Sequence, residues 1–392
     1  MKHATIVVTD GDQRASLATV RSLGRAGHAV HVCATRRRSL AAASRYAKSE
    51  TRVPDPLLHP SEFVDAVAAL ADSVSADVVI PVTEGALLAV LPRRDRFAAR
   101  IPFAGIEEFT RICDKREVLE LASSHGIVVP AQHVVAQRAS GTAAADRFPV
   151  VLKPSRSVIG EAGARSKTAV SYANGSEELR ARLDELPSDA FPVLVQQRVM
   201  GTGTAISMLV WDGELRAAFA HRRIREKPPS GGVSTLRESV PLDEELLRRS
   251  LALLAEFHWQ GVAMVEFKVE AATGTAYLME INGRLWGSVQ LAIDAGVDFP
   301  LLLVRAAMGE HDAPVTNYRA VRTRWEWGDV DHLLTRFRRG RSVLDLPRTA
   351  PGRIATLGGV LRSFVDGTRA EVFDIRDPRP FLRESINWLV SE

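Results

Sequence analysis

Hydrophobic and polar positions along the chain recur with two periods, and the changes between them mark out its elements. Ala4–Thr9 is an apolar run that stops at Asp10-Gly11-Asp12, as a buried strand entering a turn does. Ser16–Ala26 follows as a helix closed by Gly27, and Ala29–Ala34 as the next strand, which completes a βαβ unit. A second unit is predicted from Pro60 onward, with a helix from Ser61 to about Ser73, a strand over Asp77–Val82 and a short helix over Gly85–Leu91. Residues 1–110 thus read as an open, Rossmann-like α/β domain. Its first strand-to-helix turn is T-D-G-D-Q-R, which lacks G-x-G-x-x-G, so a dinucleotide is rejected as the default ligand. Asp10, Gly11, Thr83 and Glu84 stand at strand carboxyl ends, where such sheets place ligands; turn and cap duty accounts for the same residues.

A new unit begins near residue 111. Asp114-Lys115 opens an amphipathic helix over Arg116–His125, closed by Gly126 and followed by Ile127-Val128-Val129-Pro130. Phe148–Lys153 is an apolar strand ending in Lys153-Pro154, and Ser155–Ser166 is a loop of small residues with Gly160 and Gly163. Glu177–Leu186 reads as a helix and Phe191–Gln197 as a strand. Thr204–Trp211 and Glu214–Ala220 form a hairpin about Asp212-Gly213, and Leu242–His258 is an amphipathic helix.

The clearest alternation lies between Gly261 and Val297. Val262–Val269 places Met264, Glu266 and Lys268 on one face, Ala271–Thr275 makes a turn, and Tyr277–Asn282 places Leu278, Glu280 and Asn282 on one face. Paired, the two strands bring Glu266, Glu280 and Asn282 to one side of a ribbon. Two carboxylates and an amide oxygen are hard ligands suited to Mg²⁺ against phosphate, and two adjacent like charges call for a cation. Arg284 faces the same side and can hold a phosphate or carboxylate oxygen bidentately. An exposed hairpin face with scattered charges is the alternative for this stretch alone.

Composition narrows the classes. With 392 residues the chain should hold two or three domains, and 46% hydrophobic with 25% charged residues is a globular balance. No apolar run reaches the length of a membrane span, and the N-terminus enters a strand with no signal-peptide pattern, so a cytoplasmic protein is expected. Cys33 and Cys113 lie in apolar contexts as core thiols, and a net charge of +4 gives no reason to expect nucleic acid or membrane as a partner.

The ribbon resembles the metal-binding core of the ATP-grasp superfamily, which includes biotin carboxylase, carbamoyl-phosphate synthetase and many carboxylate–amine ligases. The resemblance covers about residues 1–310. It implies a mixed α/β and α+β architecture: a Rossmann-like pre-ATP-grasp domain over 1–110, an ATP-grasp domain of two subdomains over 111–310, and a C-terminal extension over 311–392. It implies that Glu266, Glu280 and Asn282 hold Mg²⁺, two ions as a rule with Mn²⁺ as a substitute, and that Arg284 faces the γ-phosphate and an acyl phosphate. Lys115 and Lys153, the latter in P-V-V-L-K-P, match lysines that contact ATP phosphates, and the small-residue loop matches a glycine-rich flap. Gln196 to Gly203 resembles the adenine-binding hinge, with the Gln196 carbonyl and Val199 amide on the adenine edge and Gln197 and Gly201 beside them. The family more often has Glu at one of the first two positions, where this chain has Gln at both.

Substrate candidates follow by position: Arg225, Ser230, Gly231 and Gly232 in the basic run after the hairpin, and Trp286 and Ser288 after the ribbon. Trp325–Asp329 and the basic run Arg336–Arg341 match no motif and suggest a lid, a homodimer contact or a solvated helix face. The implied activity is ATP-dependent ligation of a small-molecule carboxylate to an amine through an acyl phosphate, releasing ADP and phosphate. A phosphorylating or carboxylating enzyme acting on a small acid or bicarbonate, and a non-catalytic nucleotide-binding protein, are the alternatives.

Overall fold

The computed structural model describes residues 3–138, 145, 147–310, 313–340, 344, 346 and 350–391. The chain opens with β1 (Thr5–Val8), α1 (Arg14–Arg25), β2 (Ala29–Ala34), β3 (Ala47–Arg52), α2 (Pro60–Ser73), β4 (Val78–Ile80) and α3 (Glu84–Val90). The strands form a parallel sheet in the order β3-β2-β1-β4. β1 is buried along most of its length, as a parallel strand flanked on both sides must be. β3 has no hydrophobic signature: Ala47-Lys48-Ser49-Glu50-Thr51-Arg52 is a polar edge strand.

α4 (Ile106–Ile112) and α5 (Lys115–Ser124) lead out of this sheet, and the Asp114 carboxylate caps α5 by accepting from the Arg116 and Glu117 amides. Next come β5 (Gln132–Val135), β6 (Val150–Pro154), the short strands β7 (Val158–Ile159) and β8 (Ser166–Lys167), β9 (Ser171–Ala173), α6 (Ser176–Glu185) and β10 (Val193–Gln197). β5-β10-β6-β9 form an antiparallel sheet, and Val150, Leu152, Leu179 and Val193 give it a hydrophobic cluster of its own. The segment 155–166 corrects the expectation of an irregular loop. β7 pairs with β8 as a hairpin because Val158 and Ile159 are buried, and Gly160 and Gly163 take φ of +90° and +94° between the strands.

The large sheet begins with β11 (Gly201–Trp211), β12 (Glu214–Lys227) and β13 (Val233–Val240), continues after α7 (Glu244–Glu256) with β14 (Gly261–Glu270) and β15 (Ala276–Asn282), and is flanked by α8 (Val289–Ala295) and α9 (Phe299–Ala307). The C-terminal residues add β16 (Arg322–Arg324), α10 (Glu326–Arg338), α11 (Arg353–Arg362), β17 (Arg369–Ala370) and α12 (Arg379–Ser391). Its order is β15-β14-β11-β12-β13-β16-β17. The β11–β12 hairpin turns on Asp212 and Gly213 with φ of +52° and +74°, the left-handed pair a two-residue turn requires. One hydrophobic cluster runs from the N-terminal sheet through α4, α5 and α7 into this large sheet, so the two share a core.

The C-terminal residues close the molecule; within the basic run Arg336 is buried, Arg338 and Arg339 are exposed, and Arg341 lies outside the described residues. α10 lies on β12 and β13, with Asp329, His332 and Arg336 buried. Trp327 stacks on Trp388 of α12 at 4.3 Å, and the Trp388 indole donates to Asp331 Oδ1 at 2.9 Å. The chain then returns to α1, where Arg21 pairs with Asp377 at 2.9 Å with both side chains buried. No helix among the described residues is long and apolar enough to cross a membrane.

Candidate functional site

The site is built on the β14–β15 ribbon. Antiparallel register sets Glu266 opposite Glu280 and Met264 opposite Asn282, so the two carboxylates and the amide project from one face. Asn282 Nδ2 lies 3.2 Å from Glu266 Oε1 and 3.3 Å from Glu280 Oε1. Burial raises the Glu266 carboxyl above the usual carboxylate range, with Glu280 pushing the same way and Arg223 opposing. Burial acts on Glu280 as well, but Lys115, Lys153, the Asn282 amide and Arg284 outweigh it and hold Glu280 below its ordinary value. The pair divides as facing carboxylates do, one favouring its ionised form and the other its proton.

Positive groups converge on this face from three directions. Lys115, the first residue of α5, is buried; its Nζ donates to Ser157 Oγ at 2.8 Å and lies 3.7 Å from Glu280 Oε2. The Lys115 amide donates to the Ser155 carbonyl, fastening the start of α5 to the strand exit of β6. Lys153, near the end of β6, reaches Met279 Sδ at 3.7 Å, and burial lowers its ammonium to about 8, Glu280 opposing that shift. Arg284 Nη2 donates to Asn282 Oδ1 at 3.1 Å and Nη1 to the Leu285 carbonyl. Glu84, at the start of α3, completes a small pocket with Lys115, Ser157, Glu280 and Arg284; burial raises its carboxyl while Arg284 and Lys115 oppose.

Arg223 is the residue that sequence reasoning missed. Its Nη2 pairs with Glu266 Oε2, and its Nη1 donates to Glu226 and to the Gly232 carbonyl. The signal lay in the alternation of His221, Arg223, Arg225 and Lys227, which shows β12 running on beyond Ala220 through the basic run. The run is paired throughout: Arg222 with Glu238, Arg223 with Glu266, Arg225 with Asp329 and Lys227 with Asp331.

Two substrate candidates are corrected by their surroundings. Arg225 lies 2.6 Å from Asp329 with side chains 9% and 2% exposed, so a buried carboxylate of α10 already takes its charge. Trp286 is a core residue, 1% exposed, edge-on to Phe299 with ring centroids 5.0 Å apart. Ser230, Gly231 and Gly232 form the β12–β13 turn, and the Tyr172 hydroxyl of β9 comes within 3.4 Å of a Cβ at Gly231. Ser288 precedes α8.

The passage from β10 to β11 joins the separate small cluster to the main core. Gln196 is buried and its side-chain amide donates to Gln132 Oε1 at 2.6 Å, while Gln197 projects outward. The Arg198 amide donates to the Pro149 carbonyl, and the Val199 amide has no backbone acceptor among the described residues. Gly201 is fixed by packing, since a Cβ there would stand 1.8 Å from the Val269 carbonyl oxygen. Asp10 and Gly11 are likewise structural. Asp10 accepts from Thr83 Oγ1 at 2.9 Å, tying β1 to the start of α3, and a Cβ at Gly11 would meet Ser39 Oγ at 2.5 Å.

Residues 189–328 match the family model for the ATP-grasp in the biosynthetic pathway with Ter operon. The chain carries an ATP-grasp domain. Solved structures with this fold align along most of the chain. The L-amino acid ligase from Bacillus licheniformis is 17% identical with a TM-score of 0.63, over 82% of this chain and 79% of that one. The biotin carboxylase complex with βγ-ATP from Campylobacter jejuni is 15% identical with a TM-score of 0.61, over 80% and 72%. An N5-carboxyaminoimidazole ribonucleotide synthetase in its ADP complex is 16% identical with a TM-score of 0.62, over 82% and 81%. At these identities the likeness is one of fold. Comparison with curated protein sequences gave no match.

The donor set of this ATP-grasp ribbon fits a hard divalent cation. No three His, Cys, Asp or Glu side chains among the described residues form a metal cage, and the ribbon face itself offers two carboxylates and one amide oxygen. Two carboxylates and an amide leave positions for phosphate oxygens, the division of ligands that suits Mg²⁺ with a nucleotide.

Proposed function

We propose that the chain is an ATP-dependent carboxylate–amine ligase. A carboxylate oxygen attacks the γ-phosphorus of ATP and ADP leaves; an amine then attacks the acyl carbon, phosphate leaves with the bonding pair, and an amide or peptide bond forms. The observation that carries the reading is the convergence of Lys115, Lys153 and Arg284 on the Glu266–Glu280–Asn282 face.

In this reading Lys115, buried, and Lys153, half-buried, neutralise phosphate charge from positions that limit screening by water. Glu266, Glu280 and Asn282 would hold Mg²⁺, one or two ions with Mn²⁺ as a substitute, and the bound ion would offset charge on the β- and γ-phosphate oxygens. Arg284, held by its bond to Asn282, stabilises charge on the transferring phosphoryl group and then on the acyl phosphate. The passage at Gln196–Gly203 receives the adenine, with the Val199 amide, which has no backbone acceptor among the described residues, as a donor. Residues 1–110 serve as the pre-ATP-grasp domain and contribute Glu84 to the acceptor side of the site. The reaction is electrostatic positioning throughout, and no protein nucleophile is required.

The test is nucleotide product analysis with Mg²⁺ and ATP against pooled carboxylates, with and without pooled amines. ADP and phosphate that require both an acid and an amine support ligation. ADP formed with an acid or bicarbonate alone favours the phosphorylating or carboxylating reaction. AMP and pyrophosphate would sink the acyl-phosphate route, and ATP binding without turnover would leave a nucleotide-binding protein.

A further inference from the structure

A second cleft, of about 280 Å³, opens between the N-terminal loop at Asp12–Arg14, the start of β13 at Val233, and Trp325 and Glu384 of the C-terminal residues. It shares no lining residue with the Lys115–Glu280–Arg284 pocket, but two of its own lining residues lie near segments that lead to it. Gly287, three residues beyond Arg284, would bring a Cβ within 3.6 Å of Arg14 Nη2. Val233 follows Gly232, whose carbonyl accepts from Arg223, the partner of Glu266. Its volume lies near the lower end of small-molecule sites, about 300 Å³ and upward, and suits a ligand the size of an amino acid.

The charges in the cleft select the ligand. Arg14 lies 3.8 Å over the Trp325 ring and pairs with Glu371, which also pairs with the fully buried Arg237 at 2.6 Å. One carboxylate is thus shared by two guanidiniums, and Arg14 also acts on Glu384. Glu384 accepts from the Trp325 indole at 2.9 Å through Oε1, while its Oε2 is shielded from solvent with no hydrogen-bond partner. A buried acceptor left unpaired is costly, and a donor arriving in the cleft recovers that cost. Asp12 adds a second carboxylate at the rim, near Arg36 and Arg383.

We propose that this cleft is the amine subsite, taking a primary ammonium on the Glu384 carboxylate, with Trp325 fixing that carboxylate and Asp12 at the entrance. The proposal rests on the ligase reading for its purpose and on the cleft for its chemistry. Burial raises the Glu384 carboxyl to about 7; the Trp325 indole and Arg14 oppose this, and Glu326 and Glu371 add to it. An arriving ammonium supplies the charge that favours its ionised form. The family match ends at residue 328, so Glu384 belongs to a part of the chain outside that match.

The experiment is calorimetric titration of the full chain with primary amines, glycinamide and L-lysinamide first, with acetate as the anionic control, in the presence of Mg²⁺ and a non-hydrolysable ATP analogue. Wild type should bind at least one amine, Glu384→Gln should weaken it tenfold or more, and the affinity for the ATP analogue should stay within twofold. Val233→Lys, at a position 53% exposed, places a competing ammonium at the cleft without disturbing the core and should weaken the amine similarly. Amine affinity unchanged in both variants, acetate binding that Glu384→Gln abolishes, or no amine bound by wild type would each overturn the proposal. Amine binding through Glu384 in a protein that makes no ADP would sink the ligase reading and keep the subsite. Ligation with an unchanged amine KM in Glu384→Gln would do the reverse.

Discussion

Arg223 of β12 reaches across the intervening strand β11 to pair with Glu266 of β14. Gly203 makes the crossing feasible, because a Cβ there would stand 2.9 Å from Arg223 Cδ. The guanidinium thus neutralises one of the two carboxylates proposed to hold the metal, and a divalent cation must compete with it or share it.

Replacing Arg223 by Met is therefore expected to leave Glu266 and Glu280 facing each other without their nearest guanidinium. Without divalent cations the variant should lose about 2–4 kcal/mol of stability, toward the cost of breaking a buried pair. Mg²⁺ should restore a larger share of the melting temperature in the variant than it adds to wild type. Thermal melts with and without Mg²⁺ make the comparison, and equal Mg²⁺ responses would argue against a metal at Glu266.

Glu280 is the carboxylate held ionised by Lys115 and Lys153. Glu280→Gln keeps its shape and removes its charge. Turnover should fall on the order of a hundredfold or more, as when one preorganised electrostatic contact to a transition state is lost. Binding of adenine nucleotide through the Gln196–Gly203 passage should change only a few-fold. Near-full ADP release by the variant would remove Glu280 from the metal set.

The parts of the site that were legible in the sequence are those whose partners are near in the chain. Glu280 and Asn282 share a face by the period of two, and register sets Glu266 opposite Glu280. A bulge at Met279 breaks the alternation, so Leu278, expected on that face, pairs with Phe267 instead. Lys153 closes an apolar strand, and Lys115 follows a capping Asp114, both local patterns. Arg225 and Trp286 misled because what surrounds them is distant: Asp329 lies on a helix after the ribbon, and the burial of Trp286 depends on Phe299. Arg223 escaped notice for the same reason, since Glu266 reaches it only by sheet order. β3 and the tryptophan contacts of α10 with α12 carry no periodic signal, the first being a polar edge and the second set by tertiary packing.

Lys153 offers a titration test of the phosphate assignment. Burial lowers its ammonium to about 8, against an ordinary value near 10.5. Folding thus disfavours the charged form, so this lysine's contribution to stability rises with pH between about 8 and 10.5, where the unfolded chain alone holds the proton. A phosphate bound beside it favours the ammonium and moves the value back up. ATP binding at pH 9 should therefore take up a fraction of a proton per site, and Lys153→Met should abolish that uptake. Calorimetric titration in two buffers of different ionisation enthalpy measures it, and proton release or no exchange in wild type would place the phosphates elsewhere.

The Arg225–Asp329 pair separates a structural role from a substrate role. Both side chains are nearly inaccessible, so Arg225→Met leaves a carboxylate buried without its counter-ion. The single variant should lose about 3–5 kcal/mol of stability, whereas replacing both partners with apolar residues of similar volume is often neutral. Arg225→Met combined with Asp329→Leu should therefore recover most of the loss in urea denaturation. Because the pair connects β12 to α10 with both side chains buried, the double variant should also keep the KM for the acid substrate within about threefold, less than the tenfold that about 1.4 kcal/mol of lost binding would produce. A stable double variant whose KM for the acid rises a hundredfold would return Arg225 to the substrate pocket.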